Sequence, residues 1–168
     1  MKKPAVRYAL IALAITFAWI IIEHLAGWNT TNHNIGQYTR MLPMILFWVM
    51  IFVAVNQSRG QRTEYPFNEG LRDGMLMSLI YCAGFTLMIA VYQNFINPEF
   101  FDTLKAYTID QMTHADKTQA EIDKTLKDME MSFNGSATSF FLLFVFSFGW
   151  GVIISAIAAR VYRIKAVK

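Results

Sequence analysis

Ionisable residues are missing from most of the apolar sequence of this chain, and that absence excludes more than any motif asserts. Four long apolar blocks contain no Asp, Glu, Lys, Arg or His away from their ends. Proton relays, ion-coupled carriers and voltage sensors need such groups inside the membrane. No pair of Pro- or Gly-broken blocks occupies matching positions in two halves, so the usual pointer to a carrier site is missing too. Cysteine is reduced to Cys82, which removes an intrachain disulfide and a cysteine-based zinc site. There is no Gly-rich phosphate loop, no G-x-S-x-G, no H-E-x-x-H and no C-x-x-C, and so none of the phosphate, acyl-transfer, metallopeptidase or redox chemistry those motifs carry. Charged residues make up 16% of the chain and the formal net charge is +3. That modest excess is dispersed rather than gathered into a patch, so nucleic acid is not an expected partner.

What is present is apolar sequence: 55% of the 168 residues are hydrophobic and 15% aromatic. A soluble domain spreads such residues periodically; here they run in blocks between polar segments, the membrane pattern. The blocks span about 6–26, 41–55, 75–95 and 139–162. Three of them reach the roughly 20 residues that a ~30 Å hydrocarbon core requires. The second is shorter, but the long stem of Arg40 can reach back to headgroups and Pro43 suits a first helical turn, so it is read as a span. Lys2, Lys3 and Arg7 precede the first block as they would in a signal peptide. That block exceeds the ~7–15 apolar residues of such a peptide and no small-x-small site follows, so an uncleaved anchor is expected.

Four spans place the N-terminus, the Asn56–Asp73 loop and the C-terminus on one side, with ten of the 15 Lys and Arg residues, including Lys2, Lys3, Lys165 and Lys168. The other side holds Arg40, Lys105, Lys117, Lys124 and Lys127, and its Asn97–Ser139 segment carries eight acids. The bias of Lys and Arg toward the cytoplasm predicts that both termini are cytoplasmic and that residues 97–134 lie outside. In that segment Asn97, Pro98 and Glu99 suit the start of a helix. Thr118 and Glu121 form a capping box for a second helix, with Ile122, Leu126, Met129 and Phe133 at helical spacing. The expected fold is therefore all-α: a single domain of four transmembrane helices with an extracytoplasmic helical hairpin between the third and fourth.

Two sets of residues are candidates for function. Gly70, Gly74, Ser78, Cys82, Thr86 and Ala90 recur every four residues in the third span, as do Ser147, Gly151, Ser155 and Ala159 in the fourth. Small residues at this spacing let helix backbones approach, so Gly74, Ser78, Cys82, Ser147, Gly151, Ser155 and Ala159 are expected to pack two helices or receive a partner. The second set is Glu23 and His24 at the outer end of the first span, bracketed by Trp19 and Trp28, which suit an interfacial aromatic belt. The expectation is that this pair is simply where the span meets water. Together with His33 and His114, also on the outer side, Glu23 and His24 could instead make a zinc site, although their spacing matches no ligand motif. Asn94 and Asn97 fall near the same interface. Asn29 and Asn134 head N-x-S/T triplets, a pattern too common to carry weight by itself.

The segments "FNEGLRDGMLMSLI", "YQNFINPEF", "AEIDKTLKDMEM" and "GVIISAIAARVYR", in this order and spacing, make the chain resemble the DUF4199 family of small four-span bacterial membrane proteins. The resemblance covers nearly the whole chain. It implies an inner-membrane location, supplies no catalytic residues and no cofactor, and implies a membrane-associated glycosyltransferase as a partner. The function expected is an accessory or scaffold protein of the bacterial cytoplasmic membrane, more a binder than an enzyme. Its expected partners are membrane lipid and a protein partner or second copy of the chain. The alternative is a lipid-modifying or metal-dependent membrane enzyme with a site at the outer interface.

Overall fold

The computed structural model describes residues 4–164, apart from the side chains of residues 132 and 133. Lys2, Lys3, Lys165 and Lys168, which enter the charge asymmetry, and the Phe133 side chain of the hairpin stripe lie outside the described residues. The described chain forms seven α-helices: α1 (Pro4–Leu25), α2 (His33–Thr39), α3 (Leu42–Arg59), α4 (Phe67–Val91), α5 (Phe100–His114), α6 (Gln119–Phe133) and α7 (Ala137–Val161). A π-helical turn, Tyr92–Ile96, prolongs α4. No strand occurs among the described residues; Tyr65 and Ile164 form an isolated antiparallel bridge. The fold is all-α, and four helical segments are long and apolar enough to cross a membrane: Pro4–Leu25, His33–Arg59, Phe67–Ile96 and Ala137–Val161. Helices meet the demand of a lipid core because each satisfies its own backbone groups internally.

The second span departs from its expected bounds of 41–55. It continues to Arg59, giving an 18-residue α3 that rises about 27 Å, and Gly60 then stops it at φ +53°. Pro43 occupies its first turn. The apolar run ends at Val55, but Asn56–Arg59 keep helical backbone because nothing in them breaks it. The short α2 before it makes tertiary contacts through His33 to Thr103 and Gln37 to Tyr107.

Both described termini and the α3–α4 loop share one end of the bundle, the termini end; α2, α5 and α6 cover the other, the hairpin end. Two clusters hold the molecule together. The larger joins Ala5, Ala9 and Ala12 of α1 to Phe47 and Ile51 of α3, Met77, Tyr81 and Cys82 of α4, and Ala158 of α7. The smaller, at the hairpin end, joins Ile20, Tyr92, Phe100 and Leu104. Through Phe100 and Leu104 the hairpin packs on the bundle, and Met129 of α6 adds to this cluster. The capping box of α6 is formed as expected: Glu121 N–H donates to Thr118 Oγ1 at 3.4 Å, and Thr118 N–H to Glu121 Oε2 at 3.0 Å.

Candidate functional site

The most extensive helix pair is α4 with α7, and the small residues sort it into two halves. Toward the termini end, a Cβ added at Gly74 would stand 2.7 Å from Ser155 Cβ, and one added at Gly151 2.7 Å from Ser78 Cβ. Nothing larger than glycine fits without parting the helices. Ser78 Oγ lies 3.3 Å from Ser155 Oγ, while each hydroxyl also donates to a carbonyl of its own helix, Gly74 O at 2.9 Å and Gly151 O at 2.6 Å. Ala159 completes this seam against Gly70, and Cys82 is buried beside it. Ser147 lies above the seam, on the wall of a cavity.

Toward the hairpin end, α7 changes character. Its buried residues are Gly151, Ser155, Ala158 and Ala159 in one half and Ser139 alone in the other. Phe140, Leu143, Phe144 and Phe146 occupy the half in which Ser139 alone is buried, and there a crevice remains. One cavity of about 170 Å³ lies among α1, α4, α7 and the α1–α2 loop, with Ile20, Phe85, Ile89 and Leu143 on its apolar wall. A second, of about 240 Å³, extends between α3, α4 and α7 past Trp48, Ser147 and Trp150. The two share Arg40, Pro43 and Phe85 as walls. Either is far above the ~10–15 Å³ that one water needs. Along α7 they run from Ser139 to Trp150, about 16 Å of helix rise.

The polar end of the first cavity is built from residues that are distant in sequence. Glu23 is 1% exposed, and its carboxylate accepts from Trp19 Nε1 at 3.0 Å and from Asn29 Nδ2 at 3.1 Å. Asn29, itself 3% exposed, is held by its backbone: Asn97 Nδ2 donates to Asn29 O at 2.9 Å and to the Tyr92 hydroxyl at 3.1 Å. His24 Nδ1 lies 3.1 Å from that hydroxyl. Arg40 donates through Nε to Gly36 O at 3.0 Å and through Nη2 to His33 Nδ1 at 3.2 Å. Guanidinium has no acceptor, so Nδ1 of His33 carries no proton. The proton sits on Nε2, which faces Thr103 Oγ1 at 3.0 Å. Arg40 also covers the Phe100 ring at 5.4 Å. Glu23, Asn29, Arg40 and Tyr92 all line the cavity, yet among the described residues no ion pair joins Glu23 to Arg40. Asn29 Oδ1 is buried without a hydrogen-bond donor, and Trp48 Nε1 in the second cavity lacks an acceptor.

A family model described as "Protein of unknown function (DUF4199)" matches residues 7–163. The chain belongs to this family. No curated protein and no solved structure matches it. Family membership fixes no activity, so any functional reading has to come from the site itself.

Several expectations change in this setting. Glu23 is not where a span meets water; it is buried and bonded on both oxygens. The sequence held a signal for this: Ala5, Ala9, Ala12, Thr16, Ile20 and Glu23 form the buried face of α1 at helical spacing. The four residues of the zinc alternative do not converge. Glu23 accepts from Trp19 and Asn29, while His33 faces Arg40 and Thr103 and His24 faces Tyr92. His114 is exposed at the far end of α5 beside Asp110, at 3.4 Å, about 20 Å of helix rise from Phe100. Among the described residues no group of three His, Cys, Asp or Glu side chains is placed to hold a metal. Asn97 does not cap α5, whose N-terminal boundary is Glu99 without a side-chain cap; its amide is drawn into the cluster instead. Asn94 stays exposed, bonded to Ala90 O. Asn29, head of the first N-x-T triplet, is buried and closed to a glycan. The sequence does not single out Tyr92, and Arg40 and Asn29 read there only as a headgroup-reaching flank and a triplet head, because only the tertiary fold brings the three to the cavity that Glu23 lines.

Proposed function

We propose that the protein is an accessory membrane protein that holds an amphiphile in the crevice that the hairpin-end half of α7 forms with α1, α3 and α4. The observation that carries this reading is the pair of adjoining cavities, which share Arg40, Pro43 and Phe85 as walls, with Glu23, Asn29, Arg40 and Tyr92 in the first and aromatic and aliphatic walls along both. Ligand sites combine a mostly apolar lining with a few placed polar groups, and a polar end continued by an apolar channel matches a lipid. Binding is favoured over lipid modification because both oxygens of Glu23 are held by fixed donors, which suits an anchoring carboxylate rather than a general base. The excess of bases on the termini side supports an inner-membrane protein with cytoplasmic termini and the hairpin outside. A protein partner, including the membrane-associated glycosyltransferase implied by the family resemblance, would meet the uncovered surface of α7, where Phe141 and Ile153 are exposed.

Native mass spectrometry of the full chain released gently from membranes tests the binding reading. A tightly retained phospholipid is expected; protein that sheds all lipid under conditions that preserve its fold would refute it. For topology, Lys117→Cys is expected to react with an impermeant thiol reagent only from outside. Reaction only from the cytoplasmic face would invert the arrangement.

A further inference from the structure

The cavity's unmet bonding capacity points to one class of headgroup. Asn29 Oδ1 is an acceptor shut away from water with no donor, and leaving such an atom unpaired costs free energy that a ligand donor recovers. The orientation of the Asn29 amide is fixed, because its Nδ2 donates to Glu23 Oε2 at 3.1 Å; Oδ1 is the atom left over. It belongs to the same side-chain pair as a buried carboxylate, so the complementary group is a donor that also carries positive charge. Arg40 lines the same cavity and uses two N–H groups, on Gly36 O and His33 Nδ1, out of the five a guanidinium offers. Its remaining donors suit an anion, bidentate phosphate being their best match. Glu23 and Arg40 are not ion-paired with each other, so the cavity presents both charges for a ligand to bridge.

We infer that the crevice takes a phospholipid whose phosphate bears a primary ammonium, an ethanolamine-type headgroup. The ammonium sits by Glu23 and Asn29 Oδ1, the phosphate by Arg40, and an acyl chain follows α7 from Leu143 toward Trp150. This rests on the amphiphile reading above and adds the identity of the headgroup. A trimethylated ammonium carries the charge but no N–H, so it leaves Asn29 Oδ1 unpaired. A glycerol headgroup brings hydroxyls but no positive charge for Glu23. Free phosphoethanolamine has the headgroup without the chain that fills the apolar crevice.

The test uses the wild-type chain in detergent and a series of phospholipids with identical chains: ethanolamine, its mono- and dimethyl derivatives, choline, and glycerol. Competition for the retained site is read by native mass spectrometry, with free phosphoethanolamine as a further competitor. Affinity is expected to fall as N–H groups are removed, the choline lipid binding about tenfold more weakly than the ethanolamine lipid, the size of one well-made hydrogen bond to a charged donor. The glycerol lipid is expected to be weaker than the ethanolamine lipid, and free phosphoethanolamine to fail to displace it at equal concentration. Equal affinity for ethanolamine and choline lipids, or tightest binding of the glycerol lipid, overturns the headgroup inference and leaves the amphiphile reading standing. Failure of every phospholipid to bind overturns both. Asn29→Leu is expected to lessen the ethanolamine preference; the lipid series on unaltered protein carries the test even if that variant folds poorly.

Discussion

The two halves of α7 meet the same neighbour in opposite ways. From Gly151 to Ala159 the helix lies against α4 so closely that a methyl group does not fit. From Ser139 to Trp150 it faces cavities lined by residues of four or more segments. The difference lies in which side chains face α4: Gly151, Ser155 and Ala159 allow backbone contact on one half, while Ser139, Phe140 and Leu143 line a cavity on the other. One half fixes the position of α7; the other half has room because of it. Polar groups follow the same division. The seam contains two serines that satisfy themselves on their own helices, whereas the hairpin end gathers two bonded sets, Glu23, Asn29 and Asn97 in one and His33 and Arg40 in the other.

The largest effect is expected at the seam. Gly151→Leu and Gly74→Leu must part α4 from α7 and are expected to lower stability by roughly 3 kcal/mol or more, overpacking with no flexible neighbour to yield. Gly149→Leu is the internal control: nothing lies within 4 Å of its added Cβ, and a change within ~0.5 kcal/mol is expected. Thermal unfolding in detergent measures all three, and equal loss from Gly149→Leu would break the contrast. Next comes Glu23→Ala, which strands the Trp19 and Asn29 donors in a buried site and is expected to cost about 2–4 kcal/mol. A solvated rim residue would give almost no change. That outcome would return Glu23 to the interface role its sequence position suggests.

Legibility divides along the same line as the structure. The number and order of the four spans, the capping box of Thr118 and Glu121, and the Gly–Ser–Ala spacing are local or periodic, and one sequence carries them, though not the bounds of the second span. The hairpin-end network is neither. Glu23 contacts Asn29 across a turn, Asn97 reaches Asn29 over 68 positions, and His33 reaches Thr103 over 70. Asn97 illustrates the reason for the missed placement: its sequence context, N-P-E-F, favours a cap, yet the side chain serves a tertiary contact that no local pattern encodes. The period of α1 did point to Glu23, since it falls on the alanine face, but a uniformly apolar helix hides which face is inward.

Smaller effects distinguish the ends by pH. At the termini end, Tyr65 is buried and donates to Asp73 Oδ2 at 3.0 Å; burial, with the nearby carboxylate, pushes its phenol well above the ordinary value. A raised folded-state pKa contributes stability that is complete below the ordinary value of about 10 and is lost as pH rises beyond it. Alkaline unfolding is therefore expected to weaken in its pH dependence in Tyr65→Phe. At the hairpin end, the Thr118 N–H and hydroxyl hold the exposed Glu121 carboxyl below its usual range. A lowered folded-state pKa contributes stability present above about 4.3 and lost as pH falls through the folded value. Mild acid is expected to fray the start of α6, read by amide exchange, with Glu121→Gln insensitive. Fraying of both ends together in acid would remove the distinction.

The most direct test of a crevice made for a ligand is the thermal response to phospholipid in wild type, Leu143→Trp and Ile157→Trp. Leu143 lines the crevice, whereas Ile157 is exposed on the seam half of α7. A ligand that binds only the folded protein stabilises it by about 2.7 kcal/mol at a hundred times its Kd. Wild type and Ile157→Trp are expected to melt higher as ethanolamine phospholipid is added to the detergent, and Leu143→Trp, its crevice filled, to remain unmoved. A wild-type melting temperature indifferent to phospholipid, or a Leu143→Trp response equal to that of wild type, would contradict the account.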